Sequence, residues 1–243
     1  MQIGIQPFTI RDIDEPLPQK LERVARARFD GIELGPGAAN EETVEALEAT
    51  GLTVSSMGTS LERIEDDLDD YVDAGETFGA EDVVVMWIDE ERFESREAVE
   101  ETAADLEAAA ETLAERGLTL HYHNHDHEFV EVEGRPALEL LYEESDSLFF
   151  ELDLGWAGTG GVDPADFLER IGDRVTHAHV KDMAFDQREF VTFGEGDLDV
   201  ERAVETAQDV GVEWLIFEND QPVDPVAEPS HASLILDQFT GHI

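Results

Sequence analysis

Residues 148–182 read LFFELDLGWAGTGGVDPADFLERIGDRVTHAHVKD, and this stretch holds one complete strand–helix–strand unit. Leu148–Leu154 is a short apolar run, which predicts a strand covered on both faces. Asp163-Pro164 supplies an N-cap and then a proline at the first helical position, a common way to open a helix. Val175–Val180 is the next apolar run and predicts the next strand. Asp153 ends the first run. His177 and His179 alternate through the second, which puts both on one strand face.

The same unit extends in both directions. Further strands are expected at Ile3–Phe8, Gly31–Leu34, Thr53–Met57, Asp82–Trp87, Leu118–His123 and Trp214–Glu218. Helical patterns lie at Pro16–Phe29, Glu41–Thr50, Ser60–Phe78, Ser95–Arg116, Pro136–Tyr142, Leu198–Val210 and Ser230–Phe239. Several helices are followed by a glycine stop: Gly51, Gly117 and Gly211. Eight strands alternating with eight helices, in a chain of 243 residues, predict an α/β fold of the (β/α)8 TIM-barrel type, formed by residues 1–243 as a single domain. A doubly wound open sheet is the competing architecture and fits the eightfold count less well. No repeat, low-complexity segment or linker interrupts the pattern.

Composition narrows the class. Hydrophobic residues make up 41% of the chain, enough for a sizeable core, and cysteine is absent, which excludes disulfides and thiolate ligands. No run of about 18 apolar residues occurs, so no membrane association is expected. The N-terminal MQIGIQPFTI reads as a first strand rather than a secretion signal. Fifteen Lys and Arg stand against sixty Asp and Glu, a formal net charge of −45. Such self-repulsion is relieved at about 1 M salt, where the Debye length falls to roughly 3 Å. The expectation is a cytoplasmic protein of a salt-accumulating halophile. The charge also argues against a nucleic-acid partner, which requires clustered cations.

The polar residues gather where such a fold places its chemistry, at the C-terminal strand ends. Glu33 comes late in the second strand, His123 and His125 at the end of the fifth, Asp153 at the sixth, His179 and Lys181 at the seventh and Glu218 at the eighth. Buried unpaired charges are costly, so their convergence needs a reason. His123, Asp153, His179 and Glu218 are the expected ligands of one divalent metal ion. Two imidazoles with two carboxylates suit Mn²⁺, Co²⁺, Zn²⁺ or Fe²⁺ without selecting among them. His121, His123 and His125 share a strand face, successive rings roughly 6.5–7 Å apart, so one ion cannot take all three. His123 is chosen because it matches the depth of the other ligands, and His125 then sits higher, toward substrate. His127 and Glu128 are assigned to the following loop, lining the mouth. Each residue has a plainer reading too. Asp153 can cap the next segment, Lys181 can pair with the adjacent Asp182, and Trp156 can be loop packing instead of the floor of a sugar site.

These motifs together resemble the xylose isomerase-like TIM-barrel superfamily, in its sugar phosphate isomerase/epimerase group. The resemblance runs nearly end to end, through GIELG (31–35), YHNHDHEF (122–129), FELDLGWAGTGGVDP (150–164), HAHVKD (177–182), FGEGDLD (193–199) and WLIFEND (214–220). It implies one divalent metal held by Glu, Asp, His and Glu. The last three fall on Asp153, His179 and Glu218, whereas the first falls on His123. Epimerases of the group move a proton with two metal-bound glutamates. Only Glu218 matches here, so either a histidine or Glu33 is the second acid/base, or the reaction needs one base, as in a dehydratase. The implied activity is a metal-dependent sugar isomerase, epimerase or lyase that enolises a sugar, keto-sugar or cyclitol. Glu218 is the first choice as base. His125 or Lys181 protonates or hydrogen-bonds substrate oxygens, and Glu195 in the FGEGDLD loop is a substrate contact. A small-molecule sugar or cyclitol is the expected partner, and a homo-oligomer is compatible with all of this.

Other classes fit less well. An endonuclease IV-like abasic-site DNA nuclease shares the barrel but needs three metals and long DNA-binding loops, and fifteen basic residues disfavour it. A two-histidine, one-carboxylate iron site for oxygen chemistry leaves a fourth ligand unexplained. A non-catalytic sugar-binding barrel is the remaining alternative.

Overall fold

The computed structural model describes residues 1–241. Eight parallel strands close into a barrel: Gln2–Ile5, Gly31–Leu34, Thr53–Thr59, Asp82–Val85, Thr119–His123, Phe149–Asp153, Val175–Val180 and Trp214–Phe217. Each pairs with its sequence neighbours, and the eighth closes on the first from Gln2↔Trp214 to Ile5↔Phe217. The main outer helices are Leu17–Arg26, Glu41–Thr50, Leu68–Phe78, Arg96–Ala114, Ala137–Glu144, Pro164–Ile171, Val200–Val210 and Glu228–Thr240. The expected (β/α)8 barrel is the observed fold. No described helix is long and apolar enough to cross a membrane.

Strand alternation explains the layering. Ile3, Ile5, Val83, Val85, Leu120, Tyr122, Phe150, Leu152, Ala178, Val180, Leu215 and Phe217 belong to the apolar core shared with the helices. The residues between them face the barrel axis, and many are polar: His121, His123, Glu151, Asp153, His177 and His179, all buried. Trp214 packs against Gly4 and Gly31. A Cβ at Gly31 would stand 2.6 Å from its ring, so only glycine leaves the indole room there.

Segment ends differ from expectation for local reasons. The first strand stops at Ile5 instead of Phe8. Pro7 cannot donate to the ladder and enters a 3₁₀ turn, Pro7–Ile10, capped by the Gln6 side chain. The fourth strand ends at Val85, which frees Met86 and Trp87 for the loop above the barrel. Ser60–Phe78 is not one helix but two, Arg63–Asp66 and Leu68–Phe78, separated at Asp67. An unanticipated helix, Leu154–Thr159, follows the sixth strand. Its glycines read as loop, but Gly155 and Gly158 let it lie against Lys181 and Phe185, where a Cβ would come within 2.3 Å of either residue.

Candidate active site

The C-terminal mouth of the barrel brings four predicted residues together. One ligand atom from each of His123, Asp153, His179 and Glu218 lies within 4.8 Å of the others, and all four residues are buried. The strand register shows how. Asp153 pairs with His179, and Ile216 also pairs with His179, which sets Glu218 just above. His123 pairs one step lower, with Glu151. The stagger of tilted strands in a closed barrel still brings its Nε2 to 3.9 Å from Asp153 Oδ2.

The outward nitrogens of both imidazoles are held by carboxylates. His123 Nδ1 donates to Glu151 Oε1 at 3.1 Å. His179 Nε2 donates to Glu33 Oε2 at 3.1 Å, and Glu151 Oε1 is also 3.1 Å from it. His123 Nε2 is thereby turned toward Asp153, while His179 is engaged by carboxylates at both nitrogens, its Nδ1 lying 3.1 Å from Glu218 Oε2. Carboxylate–imidazole pairs of this kind orient metal-binding histidines and raise their basicity. Glu33 has few commitments left to offer, because Ser56 donates to its Oε1 at 2.5 Å and Gln6 to its Oε2 at 2.6 Å.

Asp153 divides its two oxygens. Oδ1 accepts from the Trp156 amide and caps the helix Leu154–Thr159. Oδ2 is buried and makes no hydrogen bond among the described residues. The capping reading and the ligand reading are therefore compatible. A buried oxygen without a hydrogen bond, two correctly oriented imidazoles and a second carboxylate fit a divalent cation.

Lys181 is also in the cage. Its Nζ lies 2.9 Å from Glu218 Oε2, 3.3 Å from Asp153 Oδ2 and 3.2 Å from Asp220 Oδ1. Burial would strip its proton, but Asp153, Glu218 and Asp220 outweigh that and raise its pKa. Burial likewise opposes ionisation of Glu218, yet Lys181 and His179 hold its carboxyl well below the usual range. His179 is held well above its ordinary value against burial by Glu151 and Glu33. The pocket thus draws positive charge inward. Asp182 does not pair with Lys181. It accepts from the amides of Gly194, Gly196 and Leu198 and anchors the FGEGDLD loop. A Cβ at Gly196 would stand 2.1 Å from Asp182 Oδ1.

A cleft of about 400 Å³ opens above the cage, lined by Glu33, His123, His125, Lys181 and Glu218 among others. His125 is wedged between Trp87 and Trp156, with ring centroids at 4.5 and 5.7 Å. Burial pushes its pKa down to about 3, so it is neutral at ordinary pH. Three expected contacts lie outside the cleft lining. Glu128 turns inward on a 3₁₀ turn, fully buried, and accepts from Tyr122 Oη and the His125 amide. Trp156 lies behind Lys181, whose Nζ is 4.9 Å from the indole centroid. Glu195 is exposed on its loop. The lower histidines have bonded roles: His121 donates to Asp82 at 2.8 Å, and His177 to the Ser55 carbonyl at 3.2 Å.

Some site residues escaped the sequence reading. Glu151 shares Asp153's inward parity, and an acid inside an apolar strand was the signal that it needs a partner. Asp220, Gln6, Phe8 and Trp87 also line the cleft. They sit on loops whose paths sequence periodicity does not fix.

Comparison with known proteins bears on the family and the fold. The sequence pattern of the xylose isomerase-like TIM barrel family matches residues 21–235, and the chain belongs to that family. An inosose dehydratase of Geobacillus kaustophilus (strain HTA426) is 36% identical over 88 residues, which is 35% of this chain and 28% of that enzyme. The chain therefore matches little more than a quarter of that curated relative's length. A sugar phosphate isomerase/epimerase from Parabacteroides distasonis superposes with a TM-score of 0.80 at 19% identity, covering 96% of this chain and 92% of that one. The probable 3-DHS dehydratase AsbF of Bacillus anthracis gives 0.80 at 14% identity, covering 97% and 98%. At such identities these two structures bear on the fold.

Proposed function

We propose that the protein is a divalent-metal-dependent enzyme that enolises a keto-sugar or cyclitol, within the isomerase, epimerase and dehydratase chemistries of its relatives. The carrying observation is the convergence of His123, Asp153, His179 and Glu218 within 4.8 Å, with both imidazoles oriented from behind. A divalent ion held there would polarise a substrate carbonyl and acidify the adjacent C–H bond.

The chain supplies the rest. Glu218 faces the cleft as a carboxylate and takes the proton. Lys181, charged and within reach of both Glu218 and Asp220, hydrogen-bonds the substrate oxygen that gains charge. Neutral His125 hydrogen-bonds a hydroxyl. Glu33 is an orienting group for His179, because Ser56, Gln6 and His179 already engage its oxygens. That leaves Glu218 and Asp220, both paired with Lys181, as the cleft carboxylates, and Glu218, set among the proposed ligands, is the one that takes the proton. In a dehydratase, Glu218 takes the α-proton and returns it to the oxygen on the β-carbon, whose C–O bond breaks to release water and form the carbon–carbon double bond.

Solvent exchange tests this reading. Ketoses, keto-glycosides and inososes would be incubated in deuterated water with Mn²⁺, Co²⁺ or Zn²⁺ in multimolar KCl and followed by NMR. Deuterium should enter at the carbon next to the carbonyl, stop on chelation and resume on metal addition. Exchange that survives chelation, or no exchange with any of these classes, defeats the proposal.

A further inference from the structure

We propose that the cleft selects an uncharged polyol carbonyl compound, with neither phosphate nor carboxylate, and seats its C–H face on Trp87 and Phe8. This rests on the enolisation reading for what happens at the cleft floor, while the selection itself follows from charge and shape.

Charge comes first. Among the described residues lining the cleft, Lys181 is the one Lys or Arg. Its ammonium is already shared among Asp153, Glu218 and Asp220. A divalent ion held by Asp153 and Glu218 would do no more than balance those two carboxylates. Arg11 stands nearby but outside the lining. It lies 3.8 Å from the Phe8 ring centroid and donates to the Phe8 and Asp220 carbonyls. Helix N-termini are another common anion site, but that of Leu154–Thr159 is taken by Asp153 itself. A phosphate dianion entering here would lose its hydration beside Glu33, Glu218 and Asp220 without an unshared cation to meet it, which is costly.

Shape comes second. Phe8 is 48% exposed and Trp87 49%, unusual values for large aromatic side chains, and both line the cleft. Trp87 is held in place: its ring packs on His125 and His127, and Nε1 donates to Asp89 at 3.1 Å. Glu33, His123 and His125 line the same cleft as this aromatic surface. A polyol ring has the matching character, with hydroxyls at its edge and C–H bonds on its faces. A volume of about 400 Å³ lies within the small-molecule range of about 300–1,000 Å³.

The test is calorimetric binding to the Mn²⁺-loaded protein in multimolar KCl, where long-range repulsion is screened and contacts decide. The probes are fructose, tagatose and sorbose, each beside its 6-phosphate. The free sugar of at least one pair should bind about tenfold more tightly than its phosphate, or about 1.4 kcal/mol. Trp87→Ala should weaken that binding about tenfold and leave Mn²⁺ affinity unchanged. Phosphates that bind as tightly as the free sugars in every pair, or free sugars that do not bind at all, overturn the inference. Free-sugar binding without deuterium exchange leaves the selection standing and overturns the enolisation reading alone.

Discussion

Lys181 Nζ lies 2.9 Å from Oε2 of Glu218, so a buried ammonium shares a carboxylate with the proposed metal. Lys181→Met removes that charge and leaves Asp153, Glu218 and Asp220 to repel one another. Breaking a buried ion pair typically costs about 3–5 kcal/mol, and the metal-free variant should lose stability of that order. Mn²⁺ binds the folded state and should restore part of it. The check is thermal unfolding with and without Mn²⁺. The metal-induced rise in Tm should be larger in the variant, and an equal rise in both proteins counts against a shared site.

Glu151 braces both imidazoles through one oxygen. Glu151→Gln should weaken Mn²⁺ binding by about 10- to 100-fold, the usual effect of losing an orienting partner. Glu33→Gln separates two roles. An orienting Glu33 predicts weaker metal binding, with kcat largely recovered at saturating Mn²⁺. An acid/base Glu33 predicts a kcat loss of about 100-fold or more at unchanged metal affinity. Competition titration paired with saturation kinetics distinguishes them.

Glu128 predicts a pH signature in stability. Burial raises its carboxyl from the ordinary 4.5 to about 7. The folded state therefore holds this proton more tightly than the unfolded chain does. The group costs nothing below about 4.5, and stability falls as pH rises through the window to about 7. At about 1.4 kcal/mol per unit, the loss is on the order of 3 kcal/mol. Glu128→Gln keeps an acceptor for the His125 amide and removes the titration. Denaturant unfolding should show the variant gaining on the wild type as pH rises from about 5 to about 8. A constant difference across the range would refute it.

The net charge of −45 makes salt a stability variable. Thermal unfolding should shift upward from dilute buffer to multimolar KCl as the Debye length contracts from about 10 Å to about 3 Å. Equal stability in both media would remove the halophile reading and leave the fold untouched.

The barrel was legible because each strand is a short apolar run and several helices carry recognisable ends, such as Asp163 as an N-cap and Gly51 and Gly211 as stops. Asp153, His179 and Glu218 were legible as polar endings of apolar strands. His123 required a choice among three histidines on one face, and the register supports it only with the barrel's stagger. The helix Leu154–Thr159 was hidden because its glycines serve packing against Lys181 and Phe185, which local propensity does not show. Phe8, Trp87 and Asp220 were hidden for a related reason. Their positions depend on where strands stop and loops turn, and those points are set by contacts distant in sequence.

The backbone step from Lys181 to Asp182 has a mechanical consequence. One side chain belongs to the ligand cage and the next grips three amides between Gly194 and Leu198. The intervening hairpin, Met183–Ala184 with Glu189–Phe190, is thereby tethered at both ends by a single carboxylate. Asp182→Ala should therefore loosen the whole segment at once, and limited proteolysis near the hairpin tip, Phe185–Gln187, would register it.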